Sequence, residues 1–220
     1  MKLVLFDLDH TLLSGDSDVL WCDFLIAQGV LETNTFSLRN ADIEARYKNG
    51  TVGLEEFANF YVGTLAGRTP ESWEELRQKF LAQVIVPRIG CGAIELTNRY
   101  LDAGDLVVMT TATNRFITEL TARHFGIQHL IATEPQLSHG IFTGRCVGTL
   151  NMREGKVARL HDWLSVRGQQ LHTLDSVAYS DSINDLPLLQ AVNLAIAVDP
   201  DPQLRVEALR RGWDIVHLQR

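Results

Sequence analysis

The chain contains only three cysteines, and Cys22, Cys91 and Cys146 lie far apart. An odd number of widely spaced cysteines argues against a disulfide framework and against a zinc site, so we expect free thiols in a reducing compartment. The seven histidines are scattered without the spacing of metal ligands. Each histidine is therefore expected to be a surface or structural residue rather than a catalytic one.

Basic blocks and long apolar runs are also missing. The formal net charge is -7, and no Lys/Arg-rich stretch interrupts the sequence, whereas nucleic-acid-binding surfaces are strongly positive. No apolar run approaches the roughly 20 residues that a membrane-spanning helix needs, and the first residues lack the pattern of a signal peptide. We therefore expect a cytoplasmic protein that binds neither nucleic acid nor membrane. The sequence carries no information on its oligomeric state.

The stretch 2–11 joins a short apolar run to two acids. Residues 3–6 predict a buried parallel strand, and Asp7, Asp9 and Thr11 follow it. Ligands bind at the carboxyl ends of parallel strands, and two neighbouring carboxylates repel each other unless a cation or a shared proton intervenes. The motif therefore predicts a Mg²⁺ site, the alternative being that the acids cap local turns.

Residues 15–85 show helical periodicity and almost no strand pattern. We predict four helices there, over 19–27, 36–48, 54–65 and 70–84, with caps at Asp16 or Ser17 and at Thr69. Because this segment directly follows the first strand, we expect it to form a helical cap domain (15–85) inserted into a core made of residues 1–14 and 86–220.

Helices and strands alternate after residue 86. Helices are predicted over 93–103, 115–125 and 155–166 and from 186 to 190. A last helix is predicted to follow residues 199–202 and to end at residue 211. Strands are predicted over 105–111, 127–132, 176–179, 194–198 and, at an edge, 213–217, with a possible β-hairpin at 139–145. This alternation predicts an α/β fold with a doubly wound parallel sheet flanked by helices.

Polar residues follow several of these strands. Thr111 ends the second strand, Asp181 and Asp185 follow a later one, and Lys156 lies near the start of a helix between them. The strand ends share one edge of a parallel sheet, so these groups can converge with Asp7. A carboxylate nucleophile, a metal, a lysine and a hydroxyl together suit phosphoryl transfer. Taken singly, each residue has an ordinary explanation as a solvated side chain or a helix cap.

The ordered set of groups resembles the four motifs of the haloacid dehalogenase superfamily, in its phosphoserine-phosphatase-like branch with a helical cap. Residues 7–11 match the first motif, Thr111 the second, Lys156 the third and residues 181–185 the fourth. Thr110 is adjacent, so the second motif could shift by one residue. The resemblance covers the whole chain and implies a Rossmann-like core.

The resemblance implies a Mg²⁺-dependent phosphomonoesterase that acts on a small phosphorylated metabolite through an aspartyl-phosphate intermediate. Asp7 would attack phosphorus, and Asp9 would protonate the leaving alcohol and then take a proton from water. Mg²⁺ would be held by Asp7, Asp181 and the main-chain carbonyl of Asp9.

The same resemblance assigns supporting roles to the remaining motif residues. Thr111 and Lys156 would hold phosphate oxygens. Asn184 and Asp185 would form the shell behind the metal, with Asp185 bracing its waters or Lys156.

The substrate is less well defined. In phosphoserine phosphatases a cap Glu and a cap Arg hold the amino-acid substrate, and by spacing these positions fall here near Asp16 and the uncharged Asn59, which Arg46 and Arg68 flank. The acids Asp16 and Asp18, close to an aromatic residue, would suit a cationic substrate without a carboxylate. The alternative is that both acids cap a helix.

Residues 16–18 and 210–213 are similar to those of bacterial histidinol-phosphate phosphatases of this branch. We therefore rank histidinol phosphate first, O-phosphoserine second and other small phosphomonoesters third. A receiver domain or a catalytically inactive phospho-ligand binding module are the rival hypotheses. The first would lack a helical insertion after its first strand, and the second would be expected to lack one of the motif residues.

Overall fold

The computed structural model describes residues 1–48 and 51–218, and within these ranges seven strands form one sheet. The strands are adjacent in the order β4-β3-β2-β1-β5-β6-β7, and all neighbours are parallel except β3 and β4, which form an antiparallel hairpin. The strands are β1 Leu3–Phe6, β2 Leu106–Asn114, β3 His129–Ser138, β4 Ile141–Val147, β5 Ser176–Ser180, β6 Leu194–Val198 and β7 Asp214–Val216. The predicted α/β fold with a largely parallel sheet is confirmed.

Helices cover the sheet and form most of the segment after β1. They are α1 Ser17–Ala27, α2 Thr33–Lys48, α3 Leu54–Gly63, α4 Pro70–Phe80, α5 Cys91–Asp102, α6 Arg115–His124, α7 Glu154–Ser165, α8 Leu186–Ala191 and α9 Pro202–Arg211. The fourth helix was predicted to reach residue 84, but its α-helical part ends at Phe80 and a π-helical turn, Leu81–Ile85, continues it. Within the part of the chain that the structure describes, no single helix is long and apolar enough to span a membrane. One pair of helical segments, 70–88 and 91–102, has the length and composition of a span when taken together, but it is bent by 100°.

β1 occupies the centre of the sheet because every side chain in it is apolar. All four of its residues are 1% exposed or less. Alternate side chains enter opposite clusters, with Val4 and Phe6 in one and Leu3 and Leu5 in the other. A strand buried on both faces must be continuously hydrophobic, and the change to Asp7 marks where the strand leaves the core.

The helical segment packs directly on this core. Trp21 of α1 contacts Trp73 and Phe80 of α4, with ring centroids 5.8 and 5.1 Å apart. The same hydrophobic cluster contains Phe6 of β1. The division into a cap (15–85) and a core (1–14 and 86–220) stays a prediction, and residues 49 and 50 of that cap lie outside the described residues.

Two strands are longer than predicted. β2 continues to Asn114 instead of ending at Thr111, and its register against β3 shifts between these two residues. β3 continues to Ser138 because it pairs with β4 in the hairpin. The extension of β2 matters for function, because it brings three more residues to the edge of the sheet where Asp7 lies.

Candidate active site

The carboxyl ends of β1, β2 and β5 meet at one edge of the sheet. β1 lies between the other two, so that Phe6 is beside Met109 on one side and Tyr179 on the other. Asp7 follows β1 directly, and its amide donates to the Tyr179 carbonyl at 3.0 Å. Because the three strands are parallel, the polar residues that follow them gather here as predicted.

Lys156 joins two of the acids in the interior. Its Nζ donates to Asp7 Oδ1 and to Asp185 Oδ2, both at 2.7 Å. Asp185 Oδ2 also accepts from Ser180 Oγ at 2.7 Å. Asp7, Asp185 and Lys156 are 6%, 3% and 2% exposed. Buried charges are costly unless they are paired and hydrogen-bonded, and this pairing fixes the ammonium group beside Asp7.

Thr11 links Asp7 to the loop after β5. Its Oγ1 lies 3.1 Å from Asp7 Oδ2 and 3.1 Å from Asp181 Oδ1, and it accepts from the Asp181 amide at 3.0 Å. A hydroxyl has a single proton, so it can donate to one of these carboxylates at a time. The two carboxylates are therefore close enough to repel each other, and a shared proton or a cation would relieve that repulsion.

Asp9 accepts three hydrogen bonds from other residues. The Ser17 amide donates to its Oδ1 at 2.7 Å, and Thr111 Oγ1 and Thr113 Oγ1 donate to its Oδ2 at 3.2 and 2.9 Å. Ser17 is the first residue of α1, and both threonines belong to β2. Asp9 is thus held where the loop after β1 meets the helical segment and the end of the neighbouring strand.

Burial changes the proton affinity of these groups. Burial and the charges of Asp185 and Asp9 raise the pKa of Asp7 to about 7, although Lys156 acts in the opposite direction. Burial, then the charges of Asp7 and Asp185, raises the pKa of Asp181 well above its usual range. Burial by itself would lower the pKa of Lys156, but Asp185 and Asp7 outweigh it and raise that pKa. One permanently charged lysine therefore faces more carboxylates than it can balance.

A cavity of about 630 Å³ opens over these groups. Side chains from the sheet edge, from the residue before α1, from α2 and α3, from the start of α7 and the loop before it, from the loop after β5 and from the start of α9 line it. Its acidic side chains outnumber its lysines and arginines by seven to two, which makes the cavity attractive to cations. The acids are Asp7, Asp9, Asp16, Glu44, Asp181, Asp185 and Asp201, and the two cations are Arg153 and Lys156.

The oxygen atoms at the floor of the cavity are of the kind that Mg²⁺ prefers. Asp7 and Asp181 each lie 3.1 Å from the Thr11 hydroxyl. Among the described residues, no group of three or more His, Cys, Asp or Glu is placed to hold a metal ion. The two carboxylates are of a kind that fits Mg²⁺. The main-chain carbonyl of Asp9 stays the predicted third ligand, and the side chain of Asp9 is bonded elsewhere.

Thr110 and Thr111, the two alternatives for the phosphate-binding hydroxyl, have different surroundings. Thr110 Oγ1 accepts from the amide of buried Asn151 at 3.0 Å, whereas Thr111 Oγ1 donates to Asp9. Thr111 is thus part of the site, and Thr110 fixes the loop that precedes α7. Both threonines are buried, at 2% and 1% exposure, and the residues of β2 that line the cavity are Ala112 and Thr113.

The two acids predicted to contact the substrate lie in different places. Asp16 lines the cavity and caps α1, since its Oδ1 accepts from the Asp18 and Val19 amides at 2.9 and 3.1 Å. Asp18 is 3% exposed, accepts from Asn114 Nδ2 at 3.4 Å and lies behind the cavity wall. Residues two apart at a helix start do not share a face, so the position of Asp18 does not support the predicted substrate contact.

The polar cavity residues that the sequence did not predict include Glu44, Thr113, Arg153 and Asp201. Arg153 Nε donates to Asn184 Oδ1 at 3.1 Å, so Asn184 supports a cation of the cavity wall. Arg153 also has a φ of 49°, which non-glycine residues adopt uncommonly and which is concentrated at functional sites. Thr113 alone had a sequence signal, because it follows Thr111 by two residues along a strand.

The arginines that flank Asn59 are engaged outside the cavity. Arg46 makes a bidentate contact with Glu56 at 2.8 and 2.9 Å. The Arg68 guanidinium lies over the Trp73 ring, 4.5 Å from its centroid. Asn59 accepts a hydrogen bond from the backbone of β4 at 2.9 Å. These positions therefore present no guanidinium to a substrate carboxylate.

Asp16→Asn is expected to stabilise the metal-free protein at alkaline pH. Burial, then the charge of Asp9, raises the pKa of Asp16 to about 7 from its usual 3.8. Folding therefore favours the protonated acid, and the destabilisation grows as the pH rises from about 4 to about 7 and is complete above that range. Asn keeps the helix cap without the charge, so we expect a gain in the free energy of unfolding of about 1–2 kcal/mol at pH 8.

Urea unfolding of metal-free protein at pH 8 and pH 5 measures this effect. The gain should be smaller at pH 5, where the native acid is largely protonated. Asp162→Asn, at an exposed position of α7, is the matched control and should change stability at neither pH. An equal gain from Asp16→Asn at both pH values would contradict the assigned cause.

Known proteins resemble this chain over nearly its whole length. A family model described as haloacid dehalogenase-like hydrolase matches residues 4–190. A histidinol-phosphatase of Neisseria meningitidis serogroup C (strain 8013) is 36% identical over 220 residues, with 99% of each chain covered. A solved protein of unknown function from Bordetella pertussis Tohama I superposes with a TM-score of 0.93 at 44% identity, with 97% of each chain covered.

A substrate-bound phosphoserine phosphatase complex has the same fold, with a TM-score of 0.68 at 21% identity, covering 100% of this chain and 93% of that one. The family match includes Asp7, Asp9, Thr111, Lys156, Asp181 and Asp185, which the structure brings to one sheet edge. The chain therefore belongs to the haloacid dehalogenase-like hydrolase family and is a phosphoric monoester hydrolase.

Proposed function

We propose that this phosphatase hydrolyses a small phosphomonoester through a phosphorylated Asp7, with Mg²⁺ bound, and that histidinol phosphate is its preferred substrate. The observation that carries the mechanism is the buried contact of 2.7 Å between Asp7 and Lys156 at the floor of an acidic cavity. A carboxylate in this position is oriented toward the cavity and stands beside a fixed cation, which is what a nucleophile for a phosphoryl group requires.

In the first step, a carboxylate oxygen of Asp7 forms a bond to phosphorus as the bond from phosphorus to the leaving oxygen breaks. Asp9 gives its proton to that oxygen, so the alcohol leaves neutral. In the second step, water attacks the phosphorus of the aspartyl phosphate while Asp9 takes its proton. Inorganic phosphate leaves, and Asp7 and Asp9 return to their starting states.

Lys156 and Thr111 are the predicted partners of the transferring phosphoryl group. Lys156 is immobilised by Asp7 and Asp185, so it stabilises negative charge without reorganisation during the step. Asp7, Asp181 and the Asp9 carbonyl would hold Mg²⁺. When bound, the metal would neutralise charge on the phosphate oxygens and reduce the repulsion between the acids.

The charge of the cavity favours a cationic substrate that lacks a carboxylate. Asp16 and Glu44 line it on the side of the helical segment. Arg46 and Arg68 do not line the cavity and contact Glu56 and Trp73. Histidinol phosphate carries an ammonium and an imidazole and no carboxylate, which fits this distribution. The name of the 36% identical relative supports the same choice. O-phosphoserine ranks second and other small phosphomonoesters third.

A panel of substrates tests this ranking. We expect phosphate release from histidinol phosphate to exceed that from O-phosphoserine by about tenfold or more at equal low concentration, since each unpaired charge that enters the site costs on the order of a kcal/mol. The measurement is initial phosphate release with Mg²⁺. If O-phosphoserine were the faster substrate by tenfold or more, the ranking would be wrong.

A pair of glutamate variants shows whether the cavity charge is the cause. Glu44→Gln should reduce the preference for histidinol phosphate by raising its KM, because a favourable ion pair is lost. Glu55→Gln, at an exposed position of α3, is the matched control and should leave the preference unchanged. Equal behaviour of the two variants would remove Glu44 from substrate recognition.

A further inference from the structure

We infer that Thr113, supported by Ser17, is a positioning residue that holds Asp9 in place for proton transfer to the leaving alcohol. The inference rests on the proposed role of Asp9 as acid and base. It adds a hydroxyl outside the four sequence motifs, together with the first residue of α1, to the groups on which catalysis depends.

The hydrogen bonds form a chain that ends on the reactive carboxylate. Ser17 Oγ donates to Thr113 Oγ1 at 3.1 Å, and Thr113 Oγ1 donates to Asp9 Oδ2 at 2.9 Å. The Ser17 amide donates to the other oxygen, Oδ1, at 2.7 Å. Both oxygens of Asp9 thus accept hydrogen bonds from neighbouring protein groups, which restricts the carboxylate to one orientation.

The donors Ser17 and Thr113 are more deeply buried than the Asp9 side chain that they contact. Ser17 and Thr113 are 0% and 2% exposed, whereas Asp9 is partly exposed and lines the cavity. The donors are therefore almost fully buried while Asp9 keeps a partly exposed side chain at the cavity. Such preorganisation matters because a misplacement of about 1 Å can cost about 100-fold in rate.

An irregularity in β2 brings Thr113 to Asp9. The pairing of β2 with β3 runs regularly to Thr111 opposite Ala132, and then Asn114 stands opposite Thr133, so two residues of β2 are left without partners. The Thr113 amide donates instead to Thr111 Oγ1 at 3.2 Å. Bulges of this type re-aim a side chain and are common beside active sites.

The ratio of kcat/KM between substrates with different leaving groups distinguishes loss of the acid from a general loss of structure, which would lower kcat/KM for all substrates equally. Histidinol phosphate and O-phosphoserine release alcohols, which need a proton as the bond to phosphorus breaks. The p-nitrophenolate ion leaves readily without one, so the kcat/KM for p-nitrophenyl phosphate depends little on the acid. Loss of acid positioning should therefore lower kcat/KM for the alkyl phosphates selectively.

The test compares kcat/KM for histidinol phosphate, O-phosphoserine and p-nitrophenyl phosphate in five proteins: wild type, Thr113→Val, Thr113→Ser, Ser17→Ala and Asp9→Asn. Thr113→Val should lower the values for alkyl phosphates by about 10- to 100-fold and that for p-nitrophenyl phosphate by less than about threefold. Thr113→Ser should restore both. Ser17→Ala keeps the hydrogen bond from its main-chain amide to Asp9. It should show the same selectivity to a smaller extent.

A matched control is available in α5. Thr97 is 0% exposed, and its hydroxyl donates to the Ala93 and Ile94 carbonyls. Thr97→Val removes a buried hydroxyl away from the site and should lower kcat/KM for no substrate selectively. Because the ratio between substrates is measured within each variant, a partly unfolded preparation does not change it.

The outcomes separate the inference from the function on which it rests. Equal losses for all substrates in Thr113→Val, or no loss, would overturn the positioning role while Asp9→Asn still discriminates between leaving groups. If Asp9→Asn itself fails to discriminate, the proposed acid role of Asp9 is wrong and the inference fails with it. Selective loss in Asp9→Asn and Thr113→Val, with rescue by Thr113→Ser, supports both.

Discussion

Asp7→Asn is expected to lower kcat by about 10⁴-fold or more, the scale at which loss of a nucleophile acts. An amide oxygen is a poor nucleophile toward phosphorus, so no covalent intermediate can form. Lys156 and the metal ligands cannot compensate for this loss. They stabilise the phosphoryl group, but residue 7 can no longer accept it. The residual rate is measured as phosphate release over hours. Wild-type enzyme, diluted until its phosphate release approaches the detection limit, is the reference.

The variant should fold, because asparagine fits the hydrogen bonds that Asp7 makes. Its Oδ1 can accept from Lys156 as the carboxylate does at 2.7 Å. Its amide group can donate to Thr11, whose hydroxyl then donates to Asp181 at 3.1 Å. The substitution also removes a buried charge with a raised pKa. We therefore expect a melting temperature within about 5 °C of wild type.

The combination of lost activity and retained stability distinguishes a nucleophile from a structural residue. Asp162→Asn is again the control for the chemical change and should retain full activity. Rates close to wild type in Asp7→Asn would exclude Asp7 as the nucleophile. A large loss of stability would instead assign the lost rate to misfolding, and the mechanism would then lose this support.

The second large effect concerns the metal. We expect chelation to lower phosphate release by about 10³-fold and added Mg²⁺ to restore it, since metal stabilisation of phosphoryl charge is worth several kcal/mol. The cavity contains more acids than cations, and burial together with neighbouring acids raises the pKa of Asp7 and Asp181. A divalent cation is the group that would bring these carboxylates together with a dianionic phosphate.

Thermal unfolding gives a measure of metal binding that does not depend on activity. Mg²⁺ should raise the melting temperature of wild type at pH 8, because a ligand that binds only the folded state stabilises it. Asp181→Asn should lose most of this shift, whereas Asp162→Asn should keep it. Turnover that is indifferent to chelators, or a shift that survives in Asp181→Asn, would contradict the proposed ligands.

The local sequence was sufficient to predict that these acids and the lysine come together at one sheet edge. Asp7 and Asp181 follow apolar strands whose place in a parallel sheet is dictated by continuous hydrophobicity, and the strand ends of such a sheet share an edge. The pairing of Lys156 with Asp7 and Asp185 agrees with this reasoning, although 149 and 29 residues separate the partners. Periodicity also located the helices and strands, with errors mainly at their ends.

The tertiary structure decided the roles that depend on where a side chain points. Alternation along a regular strand could not place Thr113, because β2 becomes irregular after Thr111. Spacing could not separate Asp16, which lines the cavity, from Asp18, which lies behind it. It also could not show that Arg46 is held by Glu56.

The sequence by itself determined which groups meet at the sheet edge. An acid follows the first strand, a second acid comes two residues later, and a lysine and further acids follow in a fixed order, on strands hydrophobic enough to form a buried parallel sheet. Only the tertiary structure decided which hydroxyls hold Asp9 and how charge is distributed around the cavity. Side-chain direction at a strand end depends on the register of the neighbouring strand, and that register is set by packing across the whole sheet.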